Sequence, residues 1–172
     1  MPESWNLQDR FAPSNACFGC GPANAKGLRI KSVVDQQSAD GTGDVVVCTW
    51  TPEKHHEAFE GMLNGGICGA LLDCHSNWAA AWHLMQRRVR NGAALTEPPC
   101  TVTAEFHVKL KRPTPTTTGS LEMTARVVES SDDSATVEAE LWASVKGERK
   151  VTATCRGVFV AVKEGHPAFH RW

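Results

Sequence analysis

No stretch of this chain is apolar for the length of a membrane span, and neither sign of charge prevails. The first absence argues against a spanning helix, which needs about 20 consecutive, predominantly apolar residues. The second, a formal net charge of -1 with a pI near 6.6, argues against nucleic acid or an anionic membrane as principal partner. Met1-Pro2-Glu3-Ser4-Trp5 lacks the basic start and apolar run of a secretory signal, so the expected location is cytoplasmic. An even cysteine set is missing too. Seven cysteines, five of them in apolar segments at Cys48, Cys68, Cys74, Cys100 and Cys155, suit buried thiols in a reducing compartment better than a disulfide framework. The chain also lacks internal repeats, low-complexity tracts and interdomain linkers. With 172 residues, 41% hydrophobic and 22% charged, it has the size and composition of one folded domain.

What is present reads in three parts: an N-terminal arm over 1–26, a domain over 27–165 and a tail over 166–172. The arm is rich in Pro, Gly, Asn and Ser, and its Trp5, Leu7, Phe11 and Phe18 keep no steady period. β-Branched residues from Gly27 to Asp35 and from Asp44 to Thr51, separated by the turn signal Ala39-Asp40-Gly41-Thr42-Gly43, predict a strand pair. From Gly65 to Arg90, residues Ile67, Leu71, Cys74, Trp78, Trp82, Met85 and Val89 recur every three or four positions, which predicts one long helix. Its other side carries Gly69, Ala70, Asp73, Asn77, Ala80 and Ala81, small or polar residues that admit a backbone or ligand. Arg87, Arg88 and Arg90 lie where the helix dipole is negative, and Asn91-Gly92 is a stop signal. Four further strands are expected over Thr101 to Lys111, Gly119 to Glu129, Thr136 to Val145 and Lys150 to Val162. Strands and helix are segregated, so the class is α+β: an antiparallel sheet of about six strands wrapped around one central helix.

The chemistry concentrates at the start of that helix. Gly65 and Gly66 lie where backbone N–H groups lack intrahelical acceptors and the dipole is positive, a setting that can receive a developing oxyanion; the same pair also suits a plain tight turn. Asp73 follows Gly65 by eight residues, roughly 12 Å along the axis at about 1.5 Å per residue. One chain cannot bring both groups to one carbonyl. If both act on the same substrate, Asp73 must come from a second subunit, at a composite site. The alternative is a solvated or arginine-paired carboxylate, although Leu71, Leu72 and Trp78 nearby make a lone charge costly. One turn on, Asn77 either orients a water or the carboxylate, or is a buried amide satisfied by its neighbours.

Cys17-Phe18-Gly19-Cys20-Gly21, Asn24, Gly27-Leu28, His56-Glu57, Gly61, Gly65-Gly66, Ala70-Leu71-Leu72-Asp73 and Lys111-Arg112-Pro113 occur in this order. In these residues the chain resembles the PaaI-like branch of the hotdog thioesterase superfamily, from about Cys17 to Val162. The resemblance implies the hotdog fold, a homodimer or a dimer of dimers, and hydrolysis of an acyl-CoA thioester without cofactor or metal. It implies further that Gly65 and Gly66 bind the thioester oxygen and that Asp73 acts as general base or nucleophile, supported by Asn64 and Asn77. His56, Glu60, Lys111 and Arg112 are the substrate-binding candidates. Two positions depart from the resemblance: Asn64 stands where many members have His, which removes a group titrating near neutral pH, and Glu60 stands where a neutral residue is common.

Weaker signals stay open. Cys17-x-x-Cys20 has the spacing of a metal or redox site but lacks a second Cys/His pair, and it is expected to be a turn before the first strand. Lys109, Lys111 and Arg112, or Arg87, Arg88 and Arg90, suit coenzyme A phosphates or simply solvated charge. Trp78, Trp82 and Met85 are expected in the core. The rivals are a non-catalytic acyl-CoA or small-ligand binder on the same fold, a hydratase, which the missing His before Gly65 disfavours, and a metal or redox module.

Overall fold

A computed structural model describes residues 5–35 and 45–170. The expected Ala39–Gly43 turn lies outside the described residues. A six-stranded antiparallel sheet has the order β1-β2-β6-β7-β8-β5, formed by β1 (Val33–Val34), β2 (Val45–Trp50), β5 (Thr101–Leu110), β6 (Leu121–Ser130), β7 (Ser134–Val145) and β8 (Glu148–Ala161). Helix α2 (Gly65–Arg90) has the bounds its periodicity predicts. A short helix α1 (Leu7–Phe11) and a two-stranded hairpin, β3 (Glu57–Phe59) with β4 (Met62–Leu63), complete the elements.

The sheet receives the helix in a trough of small residues. Across the central strands Ala125 pairs with Ala139, and Ala139 with Cys155, all three buried. Larger side chains, Met123, Leu141 and Phe159, are also fully buried. Against them α2 buries Cys68, Leu71, Leu72, Trp78, Ala79, Ala80 and Leu84, and each large apolar side chain contributes about 1.5–3 kcal/mol by leaving water. Ser76 Oγ lies 3.5 Å from Cys155 Sγ, a direct contact of helix and trough.

Both helix ends are pinned. Asn64 caps the start by accepting the Gly66 N–H at 2.8 Å. At the far end Arg87 donates to Asp132 at 3.2 Å and Arg88 to Asp133 at 3.1 Å, both in the β6–β7 turn, and Gly92 takes a left-handed φ of 93°.

One expectation needs correction. Only Val33–Val34 of the stretch Gly27 to Asp35 is strand, because the preceding backbone groups are spent on the arm. Leu28 N–H donates to Phe18 O at 2.7 Å, Ile30 N–H to Gly19 O at 3.2 Å, and Leu7 N–H to Ser32 O at 2.8 Å. The arm itself enters the core: Leu7 is fully buried, and Trp5 and Phe11 pack on Trp82 with ring centroids 6.0 and 6.4 Å away. His75, fully buried on α2, lies 2.9 Å from Ser32 Oγ through Nδ1 and 3.1 Å from Val46 O through Nε2.

Candidate active site

The start of α2 is enclosed by two neighbouring segments. Leu63 N–H donates to Thr114 O and Thr116 N–H to Gly61 O, both at 2.9 Å, so the β3–β4 hairpin lies against the chain that follows β5. Leu110 ends β5 over the first helical residue: a Cβ placed on Gly65 would lie 2.9 Å from Leu110 Cδ1. By helix geometry the amides of Gly65, Gly66 and Ile67 have no intrahelical acceptor. Asn64 Oδ1 occupies the Gly66 amide, which leaves the Gly65 amide outside that cap. Asn64 is thus both exposed and committed to the cap.

Asp73 lies two turns further along. Thr103 donates its hydroxyl to Asp73 Oδ1 at 2.7 Å, fixing that carboxylate oxygen. The Asp73 charge also raises the Cys155 thiol, whose pKa burial pushes up to about 11. Thr103 sits at a register irregularity, where the β5–β8 pairing shifts between Thr103 and Glu105; such bulges re-aim side chains beside functional sites. Asn77, one turn past Asp73, is buried against the start of β5. Its Oδ1 accepts the Thr101 hydroxyl at 2.7 Å and its Nδ2 donates to Thr101 O at 3.3 Å. Asp73 and Thr103 therefore form the polar pair of the site, while Asn77 braces helix to strand.

The substrate-binding candidates divide. Lys111 and Arg112 are exposed beside Leu110, and their backbone N–H groups both donate to Thr152 O, at 2.9 and 3.2 Å, so two cations are anchored near the helix start. Glu60 is exposed at the tip of the β3–β4 hairpin, next to Gly61 with a φ of 74°. His56 is buried. Its Nδ1 accepts the Glu53 N–H at 2.9 Å, its ring packs on Trp50 with centroids 4.9 Å apart, and burial lowers its pKa. Its contacts hold the turn that leads into the hairpin. Arg87 and Arg88 lie at the other end of α2, paired with Asp132 and Asp133. A groove of about 800 Å³ on the sheet is lined by Lys109, Arg126, Glu138, Glu140, Arg156 and others, not by Asp73 or Gly65.

Thr103 and Leu110 were missed as site residues by sequence reasoning, because only the pairing of β5 beside α2 brings them to Asp73 and Gly65. A further grouping joins Cys17, Cys20 and Cys74, whose sulfurs all lie within 4.8 Å of one another.

A six-stranded antiparallel sheet packed with one long helix is the hotdog fold seen in structures of thioesterase-superfamily proteins. Among solved structures, a thioesterase superfamily protein matches with a TM-score of 0.61 at 22% identity, over 84% of this chain and 62% of its own. This chain thus spans less than two thirds of that relative's length. The E. coli PaaI protein, from the phenylacetic acid degradation operon, matches with a TM-score of 0.59 at 20% identity, over 82% of this chain and 85% of its own. A Bacillus halodurans protein whose structure contains CoA matches with a TM-score of 0.55 at 18% identity, over 80% of this chain and 76% of its own. No protein-family model and no curated protein matches the sequence. No helix among the described residues is long and apolar enough to cross a membrane.

Proposed function

We propose that this protein is a cytoplasmic acyl-CoA thioesterase whose site is assembled from two subunits. The observation that carries this reading is Asp73, aligned by the Thr103 hydroxyl at 2.7 Å, on the same helix whose N-terminus offers the Gly65 amide. The two groups are separated along that helix by roughly 12 Å, so one thioester meets both only when a second helix faces the first. β5 is an edge strand, and its Thr103, Ala104, Glu105, His107, Lys109 and Leu110 are exposed. A second copy pairing there would extend the sheet and cover the helix side that carries Gly65, Gly69 and Asp73.

In this assembly the thioester carbonyl accepts the Gly65 N–H, and Asp73 of the facing subunit drives the attack. Either the carboxylate takes a proton from water as the water oxygen adds to the carbonyl carbon, or the carboxylate adds directly and water then opens the anhydride. On both routes the carbon–sulfur bond breaks, the sulfur leaves with a proton as coenzyme A thiol, and the acyl group leaves as the acid. Lys111 and Arg112 attract the coenzyme A phosphates, and Glu60 at the hairpin tip biases which acyl groups enter. CoA in the structure of the Bacillus halodurans relative supports the substrate class.

The test is thiol release from short-, medium-, long-chain and aromatic acyl-CoAs. Replacement of Asp73→Asn is expected to lower turnover by about 10²- to 10⁴-fold, the usual magnitude for a general base. A fully active, dimeric Asp73→Asn protein overturns the mechanism. A second reading, a non-catalytic acyl-CoA binder, is favoured by one observation: Asn64 occupies one of the two glycine amides. Saturable binding without turnover in the wild type identifies it.

A further inference from the structure

Seventeen residues into the chain, Cys17 and Cys20 bracket a tight loop. Gly21 N–H donates back to Cys17 O at 2.9 Å, and Cys17 N–H donates to Asn15 Oδ1 at 2.7 Å. Both glycines are required by close approach. A Cβ on Gly19 would lie 2.3 Å from Cys74 Sγ, and one on Gly21 would lie 2.4 Å from Cys17 N and 2.5 Å from Asn15 O. The loop is therefore pressed onto α2 at Cys74, one residue after Asp73.

The three sulfurs have the arrangement of a ligand set. All lie within 4.8 Å of one another, and Cys17 Sγ is 3.7 Å from Cys74 Sγ. In a tetrahedral zinc site with Zn–S near 2.3 Å, neighbouring sulfurs are separated by about 3.8 Å. The glycine loop holds Cys17 and Cys20 against Cys74 before any ion binds, so the ligand atoms are already grouped. Cys20 is buried, whereas residues Cys17 and Cys74 are partly buried.

We propose that Cys17, Cys20 and Cys74 form a three-thiolate site for a thiophilic divalent cation, with zinc the best fit, that fastens the N-terminal loop to the central helix. Binding displaces the remaining thiol protons and joins segments far apart in sequence. The site stands independently of the thioesterase reading, since it makes no use of Asp73 or Gly65.

The test uses the full chain, purified under reducing conditions without chelator, with metal content measured by elemental mass spectrometry. About one zinc per chain is expected. After chelation, cobalt titration should produce the thiolate-to-cobalt charge-transfer band, and added zinc should raise the melting temperature. Cys17→Ser, Cys20→Ser and Cys74→Ser should each weaken cobalt binding about tenfold or more, whereas Cys100→Ser, elsewhere in the chain, should leave it unchanged. Wild-type protein that takes up neither zinc nor cobalt overturns the site even if a variant fails to fold. Equal cobalt binding by all three variants overturns it as well. A disulfide that forms between any two of these cysteines when reduced, metal-free protein is exposed to dioxygen, together with no metal uptake by the reduced protein, overturns the site in favour of a thiol–disulfide pair.

Discussion

The Thr103 hydroxyl gives Asp73 a fixed orientation without changing its charge, so its contribution is separable from that of the carboxylate. Thr103→Val keeps the shape of the side chain and removes the hydrogen bond of 2.7 Å. Misplacement of a group that acts on the reacting atoms slows the step, so turnover should fall by roughly tenfold or more, in kcat rather than KM. Because Thr103 is exposed, the melting temperature should barely move. Unchanged kcat for this variant would show that Asp73 needs no such positioning. Asn64 illustrates the opposite case, a residue whose polar oxygen is already used by the helix cap, so its substitution would disturb stability and site together.

Between elements, His75 is the joint. The Val46 carbonyl only accepts, so Nε2 carries the proton, and Nδ1 accepts from the Ser32 hydroxyl. Ser32 Oγ in turn accepts from Gln8 Nε2 at 2.9 Å, and Ser32 N–H donates to Gln8 Oε1 at 2.7 Å. The network ties α2 to β2 and to the arm with neutral groups only. Burial accordingly pushes the imidazole down from 6.5 to about 4. An unfolded chain takes up this proton near pH 6.5 and the folded chain only near pH 4, so the stability contribution is complete above about pH 6.5 and is lost as pH falls toward 4. At about 1.4 kcal/mol per pH unit the loss reaches about 3 kcal/mol. Denaturation midpoints should therefore drop between pH 7 and pH 4.5, and His75→Gln, though less stable at pH 7, should decline less steeply. An identical decline in the variant would assign the effect to other groups.

At the scale of the whole molecule, the decisive question is whether one thioester meets two chains. Gly65→Val removes the close approach at the helix start, and Asp73→Asn removes the carboxylate that drives the attack. Random pairing of the two variants makes half the dimers mixed, and each mixed dimer has one intact site of two, so activity should return to about a quarter of wild type. No recovery on mixing, with subunit exchange confirmed, would place the whole site within one chain.

Periodicity alone marks α2 at its observed bounds, because apolar residues every three or four positions have one stable solution, an amphipathic helix on a core. Strands β5 to β8 are legible for a similar reason, since alternation and turn residues act locally. The sequence also singles out Gly65 and Asp73 as candidate residues, and their spacing on a helix calls for a second subunit if both are to act on one substrate. Tertiary structure decided what depends on distant segments meeting. Asn77 and His56 are turned toward Thr101 and Trp50, and Thr103 reaches Asp73 across a strand irregularity. Residues 28–32 bond to the arm instead of the sheet, a choice between equivalent backbone partners that no local pattern encodes. Cys74 joins Cys17 from 57 positions away, because the glycine loop and the helix are pressed together only in the folded chain, and a cysteine within a helical run carries no mark of that contact.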